Sequence, residues 1–478
     1  MRKFVGAMVA GAACLLSGCL VGPRYQRPVV TAPAVSRGQA AAEAASLADL
    51  PWWEVFQDET LRALVKTALV NNNDLRIAVK RVEQARQLTV QAHAEYMPNV
   101  GYEAGISGGK NESLGSPSPS GGLQRGTFAV GLAASWEADV WGRIRRLNEY
   151  ALANYLASEQ GRRGVLLSLV SSVAQAYFQL LELDLRLEIA RRGVQAFEGS
   201  RKIFQERLEG GTASRLETAR AEGALAATAA TIPELERQMA IQENEIQLLL
   251  GASPGAIPHH GTLLEQAIPP QVPAGLPSVL LERRPDVLQA ELAVRAANAQ
   301  IGIATAAFFP KIGLTTLLGR ASSPLDDFTS GRMNVWSVAA NLAGPIYAGR
   351  GLRAQKRQAV AAWEQARIEY EQAALGAFRD VSNALITREK LETVRERQME
   401  AVKAYQTAVD VSQQRYLAGK SGYFEVLEAQ QQLIPAENAL AQTELERRLV
   451  IVQLYHALGG GWHLGDADWG GPGAKQIP

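Results

Sequence analysis

Two hydrophobic periods alternate along the chain, and their order repeats. From Asp74 to Tyr96 the apolar residues keep helical spacing, and Pro98 stops the pattern. Four segments then alternate with period two: Val100-Tyr102-Ala104-Ile106, Phe128-Val130-Leu132-Ala134-Trp136, Ile312-Leu314-Thr316-Leu318 and Trp336-Val338-Ala340-Leu342. Gly, Ser, Thr, Asn or Ala mostly stand between them. Each is about nine residues, the length of a tilted transmembrane strand, although a half-buried soluble hairpin would alternate in the same way. Gly/Ser/Pro-rich stretches, Ser107 to Gly126 and Gly319 to Asn334, join the strands in pairs. Very long helices follow. No proline occurs from Arg143 to Ile232 or from Ile346 to Ile434, and Arg350 to Ala418 alone would make a helix about 100 Å long. Leu166, Val173, Leu180 and Leu187 recur every seven residues beside a second seam of Leu169, Ala176, Leu183 and Ala190, which implies a left-handed supercoil. The many alanines suit close packing on both sides, as in a tube wall; a free two-stranded coiled coil is the other reading.

The whole order occurs twice. Asp74 and Pro98 match Asp286 and Pro310 at a spacing of 212, and Val173, Arg207, Gly211, Glu217 and Gly251 match Val381, Arg415, Gly419, Glu425 and Gly459 at 208. Each unit reads helix, two short strands, very long helix, Gly turn, returning helix. The expected division is a leader over 1–18, an extended segment over 19–60, and a first unit over 61–255. A Pro-rich connector over 256–276, a second unit over 277–462 and a tail over 463–478 follow. Four membrane strands cannot close a barrel, and an open edge in hydrocarbon leaves backbone groups unpaired at several kcal/mol each, so the chain must oligomerise. Strand parity permits a dimer or a trimer.

The amino terminus reads as an address. Arg2 and Lys3 precede an apolar stretch, Phe4 to Leu16, that is too short to span a bilayer. Leu16-Ser17-Gly18-Cys19 resembles the bacterial lipobox, in which the Cys is lipidated and becomes the first mature residue. With Leu20 rather than Asp next to it, the resemblance implies outer-membrane sorting. More than one acyl chain on Cys19 would anchor stably. Past Cys19 no run of 18 or more uncharged apolar residues occurs, so any membrane crossing is expected to be by β-strands.

Composition narrows the function. Lys+Arg 49 against Asp+Glu 48 lacks the basic excess of a nucleic-acid binder. Only 6% of the chain is aromatic, and its abundant Ala and Leu fit long helices. The only cysteines are Cys14 and Cys19, which excludes Cys-based metal centres and Cys nucleophiles from the rest of the chain. Gly349-Arg350-Gly351-Leu352-Arg353-Ala354 matches a dinucleotide pattern, but a helix of nearly seventy residues follows instead of a short crossover, so it reads as a strand-to-helix turn. The histidines His93, His259, His260, His456 and His463 form no metal motif, and His259-His260 falls in the connector. Carboxylates such as Glu392, beside Arg395 and Glu396, read as a solvated helix face. No enzyme and no cofactor is expected.

The chain resembles the outer-membrane factors, the TolC-like and OprM-like exit ducts of bacterial tripartite efflux pumps. The residues that carry this are Cys19 to Pro28, Trp52-Trp53 with Phe56 and Asp58, Arg283-Arg284-Pro285-Asp286, Phe309-Pro310, Gly344-Pro345-Ile346-Tyr347, Tyr423 to Gln430 and Leu458-Gly459-Gly460-Gly461-Trp462. The lipoprotein start resembles the OprM/NodT branch. The resemblance implies a mainly α fold with a transmembrane β part: a homotrimer with a 12-stranded β-barrel in the outer membrane, a long periplasmic α-helical barrel and a closed periplasmic tip. It also implies a periplasmic adaptor, an inner-membrane pump, and passive conduction of small molecules such as drugs. A lipid-anchored coiled-coil scaffold or adaptor without a pore is the alternative.

Site expectations follow. The large strand face (Phe128, Val130, Leu132) should meet lipid, with Trp136 and Trp336 near aromatic girdles. Gly211 and Gly419 stand where long helices end, suited to a left-handed cap; by resemblance the turns Arg207 to Gly211 and Arg415 to Gly419 meet the adaptor. Phe424 and Glu428 share a helix face that a threefold axis would repeat as rings, with Leu216 and Arg220 as their counterparts in the first unit. Arg415 and Tyr416 join this gate by resemblance. The family often has Asp where this chain has Glu428.

Overall fold

The computed structural model describes residues 20–38, 46–107, 127–211, 214–258, 261–268, 273, 275–322, 329, 334–465 and 468–471. The leader, Cys19, His259, His260 and most of both strand-joining stretches lie outside the described residues. The chain runs α1 (Glu59–Asn71), α2 (Asn73–Ala94), β1 (Asn99–Ser107), β2 (Thr127–Ala138), α3 (Arg143–Glu209) and α4 (Arg215–Leu249). It then repeats the order with α5 (Pro285–Ala306), β3 (Lys311–Ser322), β4 (Asn334–Ala343), α6 (Gly351–Leu417) and α7 (Phe424–Ala457). Both long helices, α3 and α6, have 67 residues.

Local chemistry fixes the ends. The Asp58 carboxylate caps α1 by accepting from the Leu61 amide at 2.7 Å. Asp139 accepts from the first amides of α3, Ile144 and Arg145, at 2.9 Å each. Ser214 and Glu217 form a reciprocal capping box at the start of α4. At the end of α6 the Gly419 amide donates to Tyr416 O (3.0 Å) and the Lys420 amide to Arg415 O (2.8 Å), with Gly419 at φ +67°, the paired-bond glycine cap. The pattern returns after α4 at Gly251 and after α7 at Gly459. Pro233 and Pro435 lie inside α4 and α7, so the returning helices continue through a residue that elsewhere ends one.

Two compact units emerge. One comprises Met1–Val29, Val82–Ser158 and Gln289–Tyr370; the other comprises Val30–Arg81, Glu159–Leu288 and Glu371–Pro478. The first holds one antiparallel sheet in the order β1-β2-β3-β4. Beside it, α5 packs on α6 through Ile301, Ala304 and Ala359, with Val360 and Trp363 half-buried. Arg146, 2% exposed, clamps the extended segment after Cys19 by donating to the carbonyls of Val21 (3.2 Å), Gly22 (3.3 Å) and Pro23 (2.8 Å). Gly22 is at φ +92°, and a Cβ there would strike the Gly302 backbone.

The second unit holds the main core. Both heptad seams of α3 are buried from Leu166 to Ala190, none of their residues more than 8% exposed. An 18-residue window of α3 is long and apolar enough to cross a bilayer, but 67% of it is buried inside the protein. Its apolarity therefore serves the core, where Leu167, Val170, Tyr177 and Leu181 meet Leu61, Phe56 and Tyr455.

Candidate functional site

The strand register sorts side chains onto two faces. Directly opposite residues share a face, so Tyr102, Leu132, Leu318 and Trp336 form one row across all four strands. Val100, Val130, Trp136, Leu314, Val338 and Leu342 lie on that same face, each of them 38% exposed or more. The other face is mostly small or polar, with Gly101, Ala129, Gly131, Ala133, Thr315, Ser337 and Ala339, and carries Leu317 and Val335 as its larger apolar residues. Trp136 lies near the end of β2 and donates Nε1–H to Tyr96 O at 2.9 Å, while Trp336, in the row of Leu132 and Leu318, stands at mid-sheet. Gly131 is not free to grow, because a Cβ there would meet Leu317 Cδ1 at 3.2 Å and Leu318 O at 3.3 Å.

The strands meet the helices at a packed joint. Trp141 stacks on Phe309 with ring centroids 4.7 Å apart and donates Nε1–H to Pro310 O at 2.7 Å. A Cβ on Gly344 would come within 2.7 Å of Pro310 Cα, which explains a glycine there. Gly349 (φ +53°) and Arg350 (φ +68°) turn the chain into α6, so the dinucleotide-like pattern is a strand-to-helix turn.

At the far ends of α3 and α6 the two glycine turns are drawn together by an aromatic cluster. Phe204 lies edge-on to Tyr423 with centroids 4.1 Å apart, and Tyr416 to Tyr423 at 5.2 Å. Arg207 donates to Tyr416 Oη at 2.6 Å and lies 4.8 Å from its ring centre. Burial pushes the Tyr423 phenol up from its ordinary value against a hydrogen bond with Ser200. Arg415 reaches Glu425 at 3.7 Å, both half exposed. Arg220 lies over the Phe424 ring, 5.3 Å from its centre, and Glu428 accepts from Gln432 at 3.5 Å. Leu216 (60% exposed) and Phe424 (57%) stay open to solvent, and a Cβ on Gly211 or Gly419 would meet nothing within 4 Å. Of the expected tip residues, Arg207 thus meets Tyr416 and Arg220 meets Phe424. Sequence reasoning missed Phe204, although the seam Leu169-Ala176-Leu183-Ala190 reaches Phe197 and Phe204 when carried on by sevens.

The remaining motif residues build the fold. Arg284, 6% exposed, makes a two-pronged bond to Asp286 (2.7 and 3.0 Å) and reaches Asp380 (3.3 Å) and Ala457 O (3.2 Å). Arg283 lies over Trp462 and pairs with Asp49 at 2.9 Å, while Trp52 donates to Trp469 O at 2.8 Å. Glu392 and Glu396 are exposed, as a solvated face requires; Arg447 of α7 grips Glu392 there, and Arg395 reaches buried Glu444 on α7 at 2.5 Å. Among the described residues no group of three or more His, Cys, Asp or Glu could hold a metal ion.

A family model described as outer membrane efflux protein matches the chain twice, over residues 64–252 and 276–460. Cation efflux system protein CusC of Escherichia coli O6:H1 is 34% identical over 464 residues, covering 94% of this chain and 97% of that protein. Solvent efflux pump outer membrane protein SrpC of Pseudomonas putida is 35% identical over 458 residues, covering 94% and 97%. The solved structure of the outer-membrane channel OprN superposes with a TM-score of 0.86 at 31% identity, covering 93% of this chain and all of that one. The chain belongs to the outer membrane efflux protein family.

Proposed function

We propose that three copies of this chain assemble into the outer-membrane exit duct of a tripartite efflux system, closed at its aromatic tip until an adaptor engages the two glycine turns. The sheet carries this reading. Much of its apolar face is exposed, and its edges, β1 and β4, have no partner strand among the described residues. Because β1 and β4 run antiparallel in an even-stranded sheet, β4 of one copy can pair with β1 of the next, and the ring closes with every strand antiparallel. Eight strands would leave an interior that side chains fill, whereas twelve leave a lumen, and the Gly/Ala face gives that lumen room. Trp136, at the strand base, suits an interfacial girdle, whereas Trp336 stands in the mid-strand row of Leu132, which corrects its expected place there.

Arg207, Gly211, Arg415 and Gly419 form the surface offered to the adaptor, six turns per trimer. Phe424, Glu428, Leu216, Arg220, Arg415 and Tyr416 surround the closed end. CusC is named for cations and SrpC for solvents, and this chain resembles both about equally. That relatives of one fold are named for unlike cargo supports the reading that the pump and adaptor choose the cargo. The test is purification from the outer membrane, followed by molecular mass in detergent and conductance in planar bilayers. A trimer that conducts is expected. A non-conducting particle would favour the scaffold reading.

Cys19 is the proposed anchor. Cys19→Ser is expected to abolish acyl labelling and leave unprocessed precursor; unchanged labelling would exclude lipidation there.

A further inference from the structure

The small-residue face of the sheet carries a feature the duct reading does not use. Glu103 stands on it, opposite Gly131 and, one strand further, Gly319. Its neighbours on the same strand face are Gly101 and Gly105, where even an added Cβ would touch nothing within 4 Å. Glycines therefore lie opposite this carboxylate and on either side of it along the strand, with the Leu317 side chain against Gly131. The other ionisable groups on this face, Glu137 and Lys311, belong to the strand base, where Arg143 (2.8 Å) and Lys311 (3.8 Å) pair with Glu137. Arg320 is on the apolar face, opposite Val130.

We propose that Glu103 is an electrostatic filter of the barrel lumen, a ring of three carboxylates that concentrates cations and disfavours anions in the outer-membrane part of the duct. This rests on the trimeric barrel proposed above, which turns the small face inward. Twelve strands spaced ~4.8 Å apart and tilted ~40° enclose a ring about 24 Å across between backbones. A carboxylate reaching ~5 Å inward comes within ~7 Å of the axis, close to the screening length of ~8 Å at 0.15 M salt. Its field spans the lumen, as rings of acidic side chains do in cation channels. The open glycine surround keeps the charge hydrated and mobile, so cargo passes without a tight binding site. The class favoured is small cations and organic solutes of positive charge.

The test reads the local potential without relying on the tip gate. The parent has cysteines only at positions 14 and 19. A reporter thiol is introduced by Ala133→Cys, which lies on the same face opposite Gly101 and diagonal to Glu103. The trimer in outer-membrane vesicles is treated with trimethylammonioethyl or sulfonatoethyl methanethiosulfonate, using the parent as blank. The ratio of cationic to anionic reaction rates is expected to fall about three- to sixfold on Glu103→Gln at ~0.01 M salt. Glu103→Lys should push it further down, and the effect should shrink at ~1 M salt. An equal ratio in parent and both variants, with the thiol reactive throughout, overturns the filter and leaves the duct standing. A thiol that neither water-borne reagent reaches overturns the inward face, and the barrel reading with it.

Discussion

Glu444 holds three arginines together inside the helices. Its carboxylate, 5% exposed, accepts from Arg448 at 2.7 Å, Arg447 at 2.8 Å and Arg395 at 2.5 Å. Burial pushes its pKa up, but the hydrogen bonds from Arg448 and Arg395 outweigh burial and hold the group below its ordinary value. The unfolded chain therefore takes up this proton at a higher pH than the folded one. The contribution is full above the unfolded pKa of about 4.3 and is lost as pH falls through the lower, folded one. Glu444→Gln is expected to cost about 3–5 kcal/mol at neutral pH, since it leaves the buried Arg448 guanidinium without its counter-charge. Melting curves below pH 5 should then converge on those of the parent; a constant gap down to acid pH would mean that another group carries the acid sensitivity. The sequence could show only part of this cluster, Arg447 and Arg448 at three and four residues from Glu444. Spacing along one helix reveals partners three or four residues away, whereas Arg395 and Glu444 are 49 apart on different helices.

Elements were far more legible than such contacts, because periodicity is a property of one segment and partner choice is not. The four strands appear where period two predicts them, and Pro285, Gly211, Gly251, Gly419 and Gly459 mark helix ends as their backbone chemistry requires. The duplication was legible too, but it misleads at the tip. The counterparts of Phe204, Tyr416 and Tyr423 at 208 residues are Ser412, Leu208 and Arg215, so the aromatic cluster is an asymmetry that repeat matching smooths over. Face assignment permits a sharp test. Val338→Arg, in the row between those of Trp336 and Trp136, is expected to cost about 2–4 kcal/mol and to impair outer-membrane assembly, while Ala129→Arg on the small face should assemble normally. Ala129 is the better control than Gly131, where any side chain crowds Leu317. Equal heat-stable trimer from both variants would overturn the assignment. The glycine turns yield a second test. A left-handed backbone costs an L-residue about 1–2 kcal/mol, and the open space at Gly211 (φ +74°) and Gly419 (φ +67°) confines the damage to the turn. Gly211→Val with Gly419→Val should leave trimers intact and weaken crosslinking to the adaptor. Parental crosslinking would remove the turns from the docking surface.

At the scale of the whole molecule the question is what keeps a passive duct shut. Inside the protomer, exposed Arg207 donates to the hydroxyl of buried Tyr416, whose ring lies against Tyr423, and this half-buried contact steadies the turn. Phe424, Leu216 and Glu428 are of another kind, since they face solvent or a single weak partner. Arg220 already covers the Phe424 ring, so opening need not break a strong ion pair. Exposed charge contacts of this kind are worth about 0–1 kcal/mol each, which an adaptor can outweigh by binding the open form more tightly. Phe424→Ala with Glu428→Ala should therefore raise single-channel conductance and sensitise cells to large antibiotics, with the trimer unchanged in detergent. Arg207→Ala should behave differently. Removing the buried Tyr416 partner loosens the turn itself, so adaptor crosslinking should fall along with any gain in conductance. If the Phe424/Glu428 double variant conducts like the parent while Arg207→Ala opens the duct, the constriction is the aromatic cluster and not the exposed rings.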